Sequence, residues 1–135
     1  MFAIKTEVPD PCAETFSFVM QRTMYGGKLI AHGDIVFIFA SENEGGSGLI
    51  ALGEVTASGA VPKKPGFARQ TPRVNIVVRR TALAKRRIGR TELKAYSKWA
   101  DGRPETELNF KFYRQATNKI VGITTETAAF LRGFF

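Results

Sequence analysis

Two apolar runs separated by a polar, glycine-rich stretch dominate the pattern of the chain. Residues 35–40 read Ile-Val-Phe-Ile-Phe-Ala, and residues 49–55 read Leu-Ile-Ala-Leu-Gly-Glu-Val. Runs of this kind, joined by the loop at 41–48, predict a β-hairpin. Because the first run has no polar alternation, we expect both of its faces to be covered, as in a small closed barrel.

Four further segments are predicted as strands. The chain opens with an apolar strand at 2–6, and apolar and polar residues alternate along 73–81 and along 107–114. A short apolar run at 119–123 adds another strand. Together with the hairpin, these segments predict about six strands, enough to close a small barrel.

Helices are predicted at the ends of the barrel and in one connection. Residues 13–23 place Phe16, Val19 and Met20 at positions i, i+3 and i+4, which is helical spacing. Thr91 is expected to cap a second helix over 92–100, because its hydroxyl can accept a free first-turn amide.

The last helix is predicted to begin after Thr124 or Thr125 and to end at Gly133. No internal repeat or long linker divides the chain. We therefore expect residues 1–135 to form a single α+β domain, a barrel of about six strands flanked by two or three short helices.

Charge is divided unevenly along the chain, whose net charge is +8. Residues 1–61 hold three basic and seven acidic residues, whereas residues 62–119 hold sixteen basic and four acidic ones. Such an asymmetry within one small domain is expected of polyanion binding. A solvated surface that keeps the protein soluble is the alternative.

Aromatic residues are interleaved with the cations of the basic half. They are Phe67, Tyr96, Trp99, Phe110, Phe112 and Tyr113. Cations can hold a phosphate backbone, and aromatic faces can stack an exposed base. Phe110 and Phe112 lie on the apolar side of the predicted strand and are expected in the core. Trp99 either packs in the core or lines a pocket, because a buried indole N–H needs a partner.

Signals for an enzyme are weak. The one histidine, His32, lies beside a predicted turn, and the one cysteine, Cys12, has no second cysteine at metal spacing. The glycine-rich stretch 45–48 lacks the Lys-Ser/Thr of a phosphate loop. We expect no catalytic residue, metal or cofactor. A Cys12 nucleophile activated by His32 is the exception kept open.

The setting of the protein is predicted from what its sequence lacks. No run of about 18 apolar residues suggests a membrane span, and the first residues do not have the pattern of a signal peptide. A lone cysteine cannot form an internal disulfide. These features favour a reducing, cytoplasmic location.

The order of the first elements resembles the EVE domain of the PUA-like superfamily, which also includes the YTH and ASCH domains. Residues 2–9 resemble the family's aromatic-led opening strand, which ends in Lys-Ser-Glu-Pro. Residues 33–41 resemble its Gly-Asp strand, and residues 48–55 its Gly-Ile-Val-Gly-Ile-Gly/Ala-Glu-Val strand. The similarity covers about residues 2–62. Thr6 replaces the family's Ser, and Val8 is inserted before the proline.

PUA-like domains bind RNA or DNA, and EVE and YTH members are associated with reading modified bases in a pocket. The resemblance implies such a pocket beside the end of the first strand. Thr6 and Ser41 are expected to hydrogen-bond a base edge, and Tyr25 to stack on it. Lys5 and Arg22 are expected to hold the flanking phosphates, since a flipped-out base leaves its hydrogen-bonding edge free.

The leading interpretation is a non-enzymatic nucleic-acid-binding domain that reads a modified base in DNA or RNA. Further candidate binding residues lie in the basic half: Arg79, Arg87, Arg90 and Trp99. The alternative is a small-molecule-binding or regulatory protein whose basic face docks an acidic protein partner. No membrane contact is expected in either case.

Overall fold

Six strands pair into a closed barrel in this computed structural model, which describes residues 1–66 and 70–135. The strands are β1 (Phe2–Thr6), β2 (Thr15–Met24), β3 (Ile35–Ala40), β4 (Gly48–Ala60), β5 (Arg73–Leu83) and β6 (Lys119–Gly122). Their order around the barrel is β1-β3-β4-β5-β2-β6, with parallel pairing of β1 to β3 and of β2 to β6. The predicted α+β barrel of about six strands is confirmed.

Short helices cover one side of the barrel. They are α1 (Arg90–Leu93), α2 (Pro104–Leu108), a π-helix (Asn109–Arg114) and α3 (Thr125–Arg132). Single 3₁₀ turns lie at Gly27–Leu29 and Glu42–Glu44. Within the described residues, none of these helices has the length and apolar character that crossing a bilayer requires.

Strand β3 is buried on both faces, as its uninterrupted apolar run predicts. Val36 and Ile38 pack inside the barrel, while Phe37 and Phe39 pack outward under the helices, and all four are 0% exposed. Successive side chains of a strand point to opposite sides, so a strand between two cores needs apolar residues at every position. The predicted hairpin of β3 with β4 is confirmed.

The helix predicted over 13–23 is wrong, because this segment forms β2. Phe16 and Phe18, two residues apart, lie on the same side of the strand and are both buried, with ring centroids 5.7 Å apart. β2 pairs with β5 and β6 to close the barrel. These distant strands supply the backbone partners and decide the conformation against the local helical spacing.

The strand predicted over 107–114 is also wrong, because α2 and the π-helix occupy this segment. Pro104 stands in the first turn of α2, where its missing N–H costs nothing. Leu108 and Phe112, four residues apart, are both 0% exposed beneath the helical layer. Phe112 is therefore core, as expected, whereas Phe110 is only half-buried.

The helix predicted to follow Thr91 is shorter than expected and begins earlier. Helix α1 covers only Arg90–Leu93, and the residue that caps it is Gly89. The Gly89 N–H donates to Glu92 Oε1 at 2.8 Å. The cap assigned to Thr91 is therefore wrong.

The final helix is confirmed, and it is tied to α2 through a carboxylate. The Thr124 hydroxyl accepts the Thr127 N–H at 3.2 Å, and the helix ends at Gly133. Glu107 accepts hydrogen bonds from the hydroxyls of Thr124 and Thr127 at 2.8 and 2.5 Å and from Lys111 Nζ at 2.7 Å. Burial alone would raise the pKa of Glu107, but these donors outweigh it and hold the pKa below its usual range.

Candidate nucleic-acid interface

Two buried lysines hold the segment that leads into β6. Lys5 and Lys119 are partners across β1 and β6, and both are 0% exposed. Lys5 Nζ donates to two carbonyl oxygens at 2.8 and 3.0 Å, and Lys119 Nζ to two others at 2.6 and 2.9 Å. The four acceptors belong to Phe112, Ala116, Gln115 and Thr117. These four hydrogen bonds thus anchor the end of the π-helix and the loop after it to β1 and β6.

Burial changes the acidity of both ammonium groups. Burial, together with the nearby charge of Lys5, lowers the pKa of Lys119 to about 8. Burial also lowers the pKa of Lys5, against the opposing attraction of Glu42. The Lys5 ammonium is buried and donates to carbonyl oxygens of the protein itself. It therefore has no exposed donor for the phosphate contact that was predicted for this residue.

Two adjoining cavities open close to these lysines, since the lining of one includes Thr6, next to Lys5, and Thr117, whose carbonyl accepts from Lys119. The larger, of about 770 Å³, is lined by Met20, Arg22, Lys28 and the segments 60–64 and 70–74. The smaller, of about 410 Å³, is lined by Thr6, residues 20–22, Arg73 and residues 117–118. Since the cavities share several lining residues, we treat them as one surface and call it the basic cleft.

The charge of the basic cleft is entirely positive. Its described lining carries five cations and no carboxylate; the cations are Arg22, Lys28, Lys63, Lys64 and Arg73. Arg22 and Arg73 stand opposite each other on β2 and β5. Like charges at such a position repel, so an anion bound between them would relieve the repulsion.

Thr6 and Ser41 lie together at the inner side of the cleft. The Ser41 N–H donates to the Thr6 carbonyl at 2.8 Å, next to the parallel pair of β1 and β3. Thr6 lines the smaller cavity with Arg22, whereas Ser41 lines neither cavity. The Ser41 hydroxyl is buried and has no hydrogen-bond partner in the described part of the protein.

Tyr25 and Trp99 belong to a separate surface, which we call the aromatic patch, formed by Tyr25, Trp99 and Phe110. The ring of Phe110 lies 6.1 Å from that of Tyr25 and 5.7 Å from that of Trp99, between ring centroids. Trp99 is 72% exposed, which decides against a core position. The Tyr25 hydroxyl donates a hydrogen bond to Gln115 Oε1 at 3.2 Å. The loop that follows Gln115 separates this patch from the cleft. Phe67 falls outside the described residues.

The remaining predicted arginines lie outside the cleft and have partners elsewhere. Arg79 Nη2 is 3.1 Å from a carboxylate oxygen of Glu54. Arg87 lies 4.0 Å from Glu92. Arg90 donates to the Asn43 side chain at 2.6 Å. The structure therefore brings only Thr6 and Arg22 of the predicted binding residues into the cleft itself.

Several cleft residues were not predicted from the sequence. Arg73 reaches the cleft through the register of β5 with β2, and Lys28 and Asn118 reach it from a 3₁₀ turn and from the loop before β6. A single sequence shows neither register nor the placement of such loops. The pair Lys63-Lys64 was visible as a basic step in a proline-rich loop. Besides Thr6 and Arg22, this cation pair is the sequence signal that pointed towards the surface.

No catalytic arrangement forms around Cys12 and His32. Both side chains are exposed, and no hydrogen bond joins them among residues 1–66 and 70–135. The Cys12 main-chain oxygen instead accepts from Arg80 at 2.6 Å. Within these same residues, no group of three histidine, cysteine or acidic side chains is placed to hold a metal ion.

Comparison with known proteins identifies the fold. No family model matches the sequence, and no curated protein sequence matches it. Solved structures do match. The DUF55 domain of human thymocyte nuclear protein 1 has a TM-score of 0.66 at 18% identity, covering 98% of this chain and 96% of that chain. The human THYN1 protein in complex with 5-methylcytosine containing DNA has a TM-score of 0.63 at 18% identity, covering 98% and 95%.

A bacterial structure extends the likeness. A protein from Pseudomonas putida has a TM-score of 0.62 at 14% identity, covering 98% of this chain and 97% of that chain. The PUA-like barrel fold implied by the resemblance of residues 2–62 is therefore confirmed over nearly the whole chain.

Proposed function

We propose that this protein is a non-enzymatic module that binds nucleic acid in the basic cleft and reads a modified base there. The observation that carries the proposal is the lining of the cleft, with five cations and no described carboxylate. Cations placed along a groove neutralise phosphates and release counterions, which drives the binding of polyanions. The depth of the cleft at Thr6 then provides a place for a base.

The smaller cavity has the size and the polar groups for a nucleobase edge. Its volume of about 410 Å³ is within the range of small-ligand pockets. The amide groups of Gln21 and Asn118 each use their nitrogen as a donor, to Val19 and to Glu44. Their amide oxygens and the Thr6 hydroxyl remain as acceptors, which suits an exocyclic amino group such as that of cytosine.

The known complex of a protein with the same fold supports a modified cytosine as the first ligand to test. The human THYN1 protein was solved with DNA containing 5-methylcytosine. In the present chain, Met20 lines both cavities and offers an apolar side chain near the acceptors. Apolar side chains are used to contact a methyl group on a pyrimidine ring.

Binding to labelled oligonucleotides tests the proposal. The panel holds duplexes with and without one 5-methylcytosine, and matching single-stranded DNA and RNA. We expect affinity to fall steeply with salt, with a log–log slope of up to about −4.5 if five cations each contact a phosphate of a duplex. Lack of binding to every polymer at low salt would overturn the proposal.

A matched pair of variants locates the binding surface. Replacing Lys63 and Lys64 by Gln removes two cations of the cleft, so the salt slope should become shallower by about 2. The control, Arg87→Gln with Lys98→Gln, removes two exposed cations outside the cleft lining. Equal effects of the two pairs would contradict a cleft-centred interface.

The aromatic patch favours a second candidate, in which the protein docks a protein partner. Trp99 is the most exposed large apolar side chain of the described residues, at 72%. Exposed aromatic residues are common at the centres of protein interfaces. A protein partner captured by the parent chain and lost with Trp99→Ala, with no binding to any polymer, would favour this candidate over nucleic-acid reading.

A further inference from the structure

Strand β2 carries a bulge where it borders the basic cleft. The pairing of β2 with β5 shifts register between Phe18 and Gln21, so Val19 and Met20 lie opposite one residue, Asn75. An extra residue in one strand bends it and re-aims its side chains, and such bulges are common beside binding sites. The bulge therefore changes what β2 presents to the cleft.

The backbone at Met20 is strained and held in place by its neighbours. Met20 has φ +56°, in the left-handed region that residues with side chains rarely adopt. Its N–H donates to Asn75 Oδ1 at 2.7 Å, and its carbonyl accepts from Arg73 Nη1 at 2.8 Å. A strained conformation fixed from both sides is typical of functional positions.

The bulge presents apolar side chains to solvent. Val19 is 64% exposed and Met20 is 45% exposed, and neither belongs to the two core clusters. Met20 lines both cavities together with Arg22 and Arg73. Core packing thus accounts for neither the strain nor the position of this side chain.

We propose that Met20, with Val19 beside it, is a wedge that enters the base stack of a duplex whose target base has turned into the smaller cavity. The inference rests on the proposed function and adds the form of the ligand, a duplex with one base extruded. Extrusion leaves a gap between neighbouring bases, and proteins fill or open such steps with apolar side chains, methionine among them. The flexible thioether side chain adapts to an irregular gap.

The charges around the bulge suit this occupant. Arg22 lies two residues after Met20 on β2, and Arg73, its partner on β5, donates to the Met20 carbonyl, so both cations are close to Met20 in the cleft lining. The phosphates that flank an extruded nucleotide are where cations are needed to hold the distorted backbone. An apolar side chain beside two cations therefore suits a base step and the phosphates that flank it.

Two variants separate the wedge from the fold. Met20→Leu keeps an apolar side chain of similar size, whereas Met20→Gly removes it and accepts the positive φ without strain. Each is measured against three probes of one sequence containing 5-methylcytosine: the paired duplex, a duplex with the target base mispaired, and the single strand.

We expect Met20→Gly to weaken binding to the paired duplex about tenfold, the equivalent of about 1.4 kcal/mol, because the wedge no longer offsets the cost of unstacking. The mispaired duplex should lose less, and the single strand less than about twofold, since their bases are already free. Met20→Leu should stay close to the parent protein on all three probes. A 2-aminopurine placed next to the target base should brighten with the parent protein and not with Met20→Gly.

Each other result has a defined meaning. Parent and Met20→Gly proteins that bind the three probes alike would overturn the wedge and leave the proposed function standing. An equal loss on all three probes would also overturn it, because Met20 would then be an ordinary contact. A parent protein that binds no polymer would overturn the proposed function and the wedge together.

Discussion

Strands β3 and β2 belong to one barrel but serve opposite purposes. β3 is buried on both faces, with Val36 to Ile38 0% exposed, and it has no lining position in the basic cleft. β2 buries only alternate residues of its first half and then bulges towards the cleft at Met20. The comparison shows that the scaffold strand follows the regular pattern of apolar residues, whereas the strand that lines the basic cleft departs from it.

The largest expected effect is on the scaffold side. Phe37→Ala removes a fully buried ring that packs under the helices, so it should lower the free energy of unfolding by about 3–5 kcal/mol. Val19→Ala in the bulge, where the side chain is 64% exposed, should change it by less than about 0.5 kcal/mol. Urea unfolding followed by circular dichroism measures both.

A similar loss in the two variants would break the comparison, because Val19 would then contribute to a packed core. The slope of the unfolding free energy against urea should also stay unchanged in Val19→Ala, since that slope follows the surface exposed on unfolding. A changed slope would point to an altered native or denatured state instead of a local loss.

Strand β6 pairs with β2 on one side and with β1 on the other. Its residue Lys119 makes part of the protein's stability dependent on pH. The folded protein holds the pKa of Lys119 at about 8, below the ordinary value of 10.5 that applies to the unfolded chain. Between these values, the unfolded chain binds a proton that the folded protein has released. Stability conferred through this group therefore rises as the pH increases from about 8 to 10.5, and it is flat below that window.

Lys119→Met should remove this slope, which amounts to at most about 1.4 kcal/mol per pH unit for one proton. The measurement is urea unfolding of both proteins at several pH values from 7 to 10.5, and the exposed Lys98→Met serves as the control. If the difference in unfolding free energy between parent and Lys119→Met is constant across the window, the ammonium of Lys119 is not the group that titrates.

The scaffold could be predicted from the sequence because burial on both faces leaves a continuous apolar run. The hairpin of β3 with β4, the barrel and the cap at Thr124 all follow from local patterns. The helix predicted over 13–23 failed for the opposite reason. Phe16 and Met20 have helical spacing in the sequence, but a strand buries one and a bulge exposes the other.

The candidate site was predictable only in part. Thr6 and Arg22 were named from the resemblance to EVE domains, and the structure places both in the smaller cavity. Arg73 arrives opposite Arg22 through the register of β2 with β5, more than fifty residues apart along the chain. Long-range register is set by packing and pairing together, so a single sequence does not reveal it.

A small effect on stability is also expected at Met20, and the sign of the change in unfolding free energy separates strain from packing. Replacing Met20 by Gly relieves a left-handed conformation that costs about 1–2 kcal/mol for an ordinary residue. Glycine also gives the unfolded chain more conformational freedom, which lowers the free energy of unfolding by about 0.5–1 kcal/mol. The first term equals or exceeds the second, so urea unfolding should find Met20→Gly between equal to the parent and about 1.5 kcal/mol more stable. A loss above about 1 kcal/mol would mean that the Met20 side chain packs in the free protein. The bulge would then belong to the scaffold, like β3, and the contrast between the two strands would not hold.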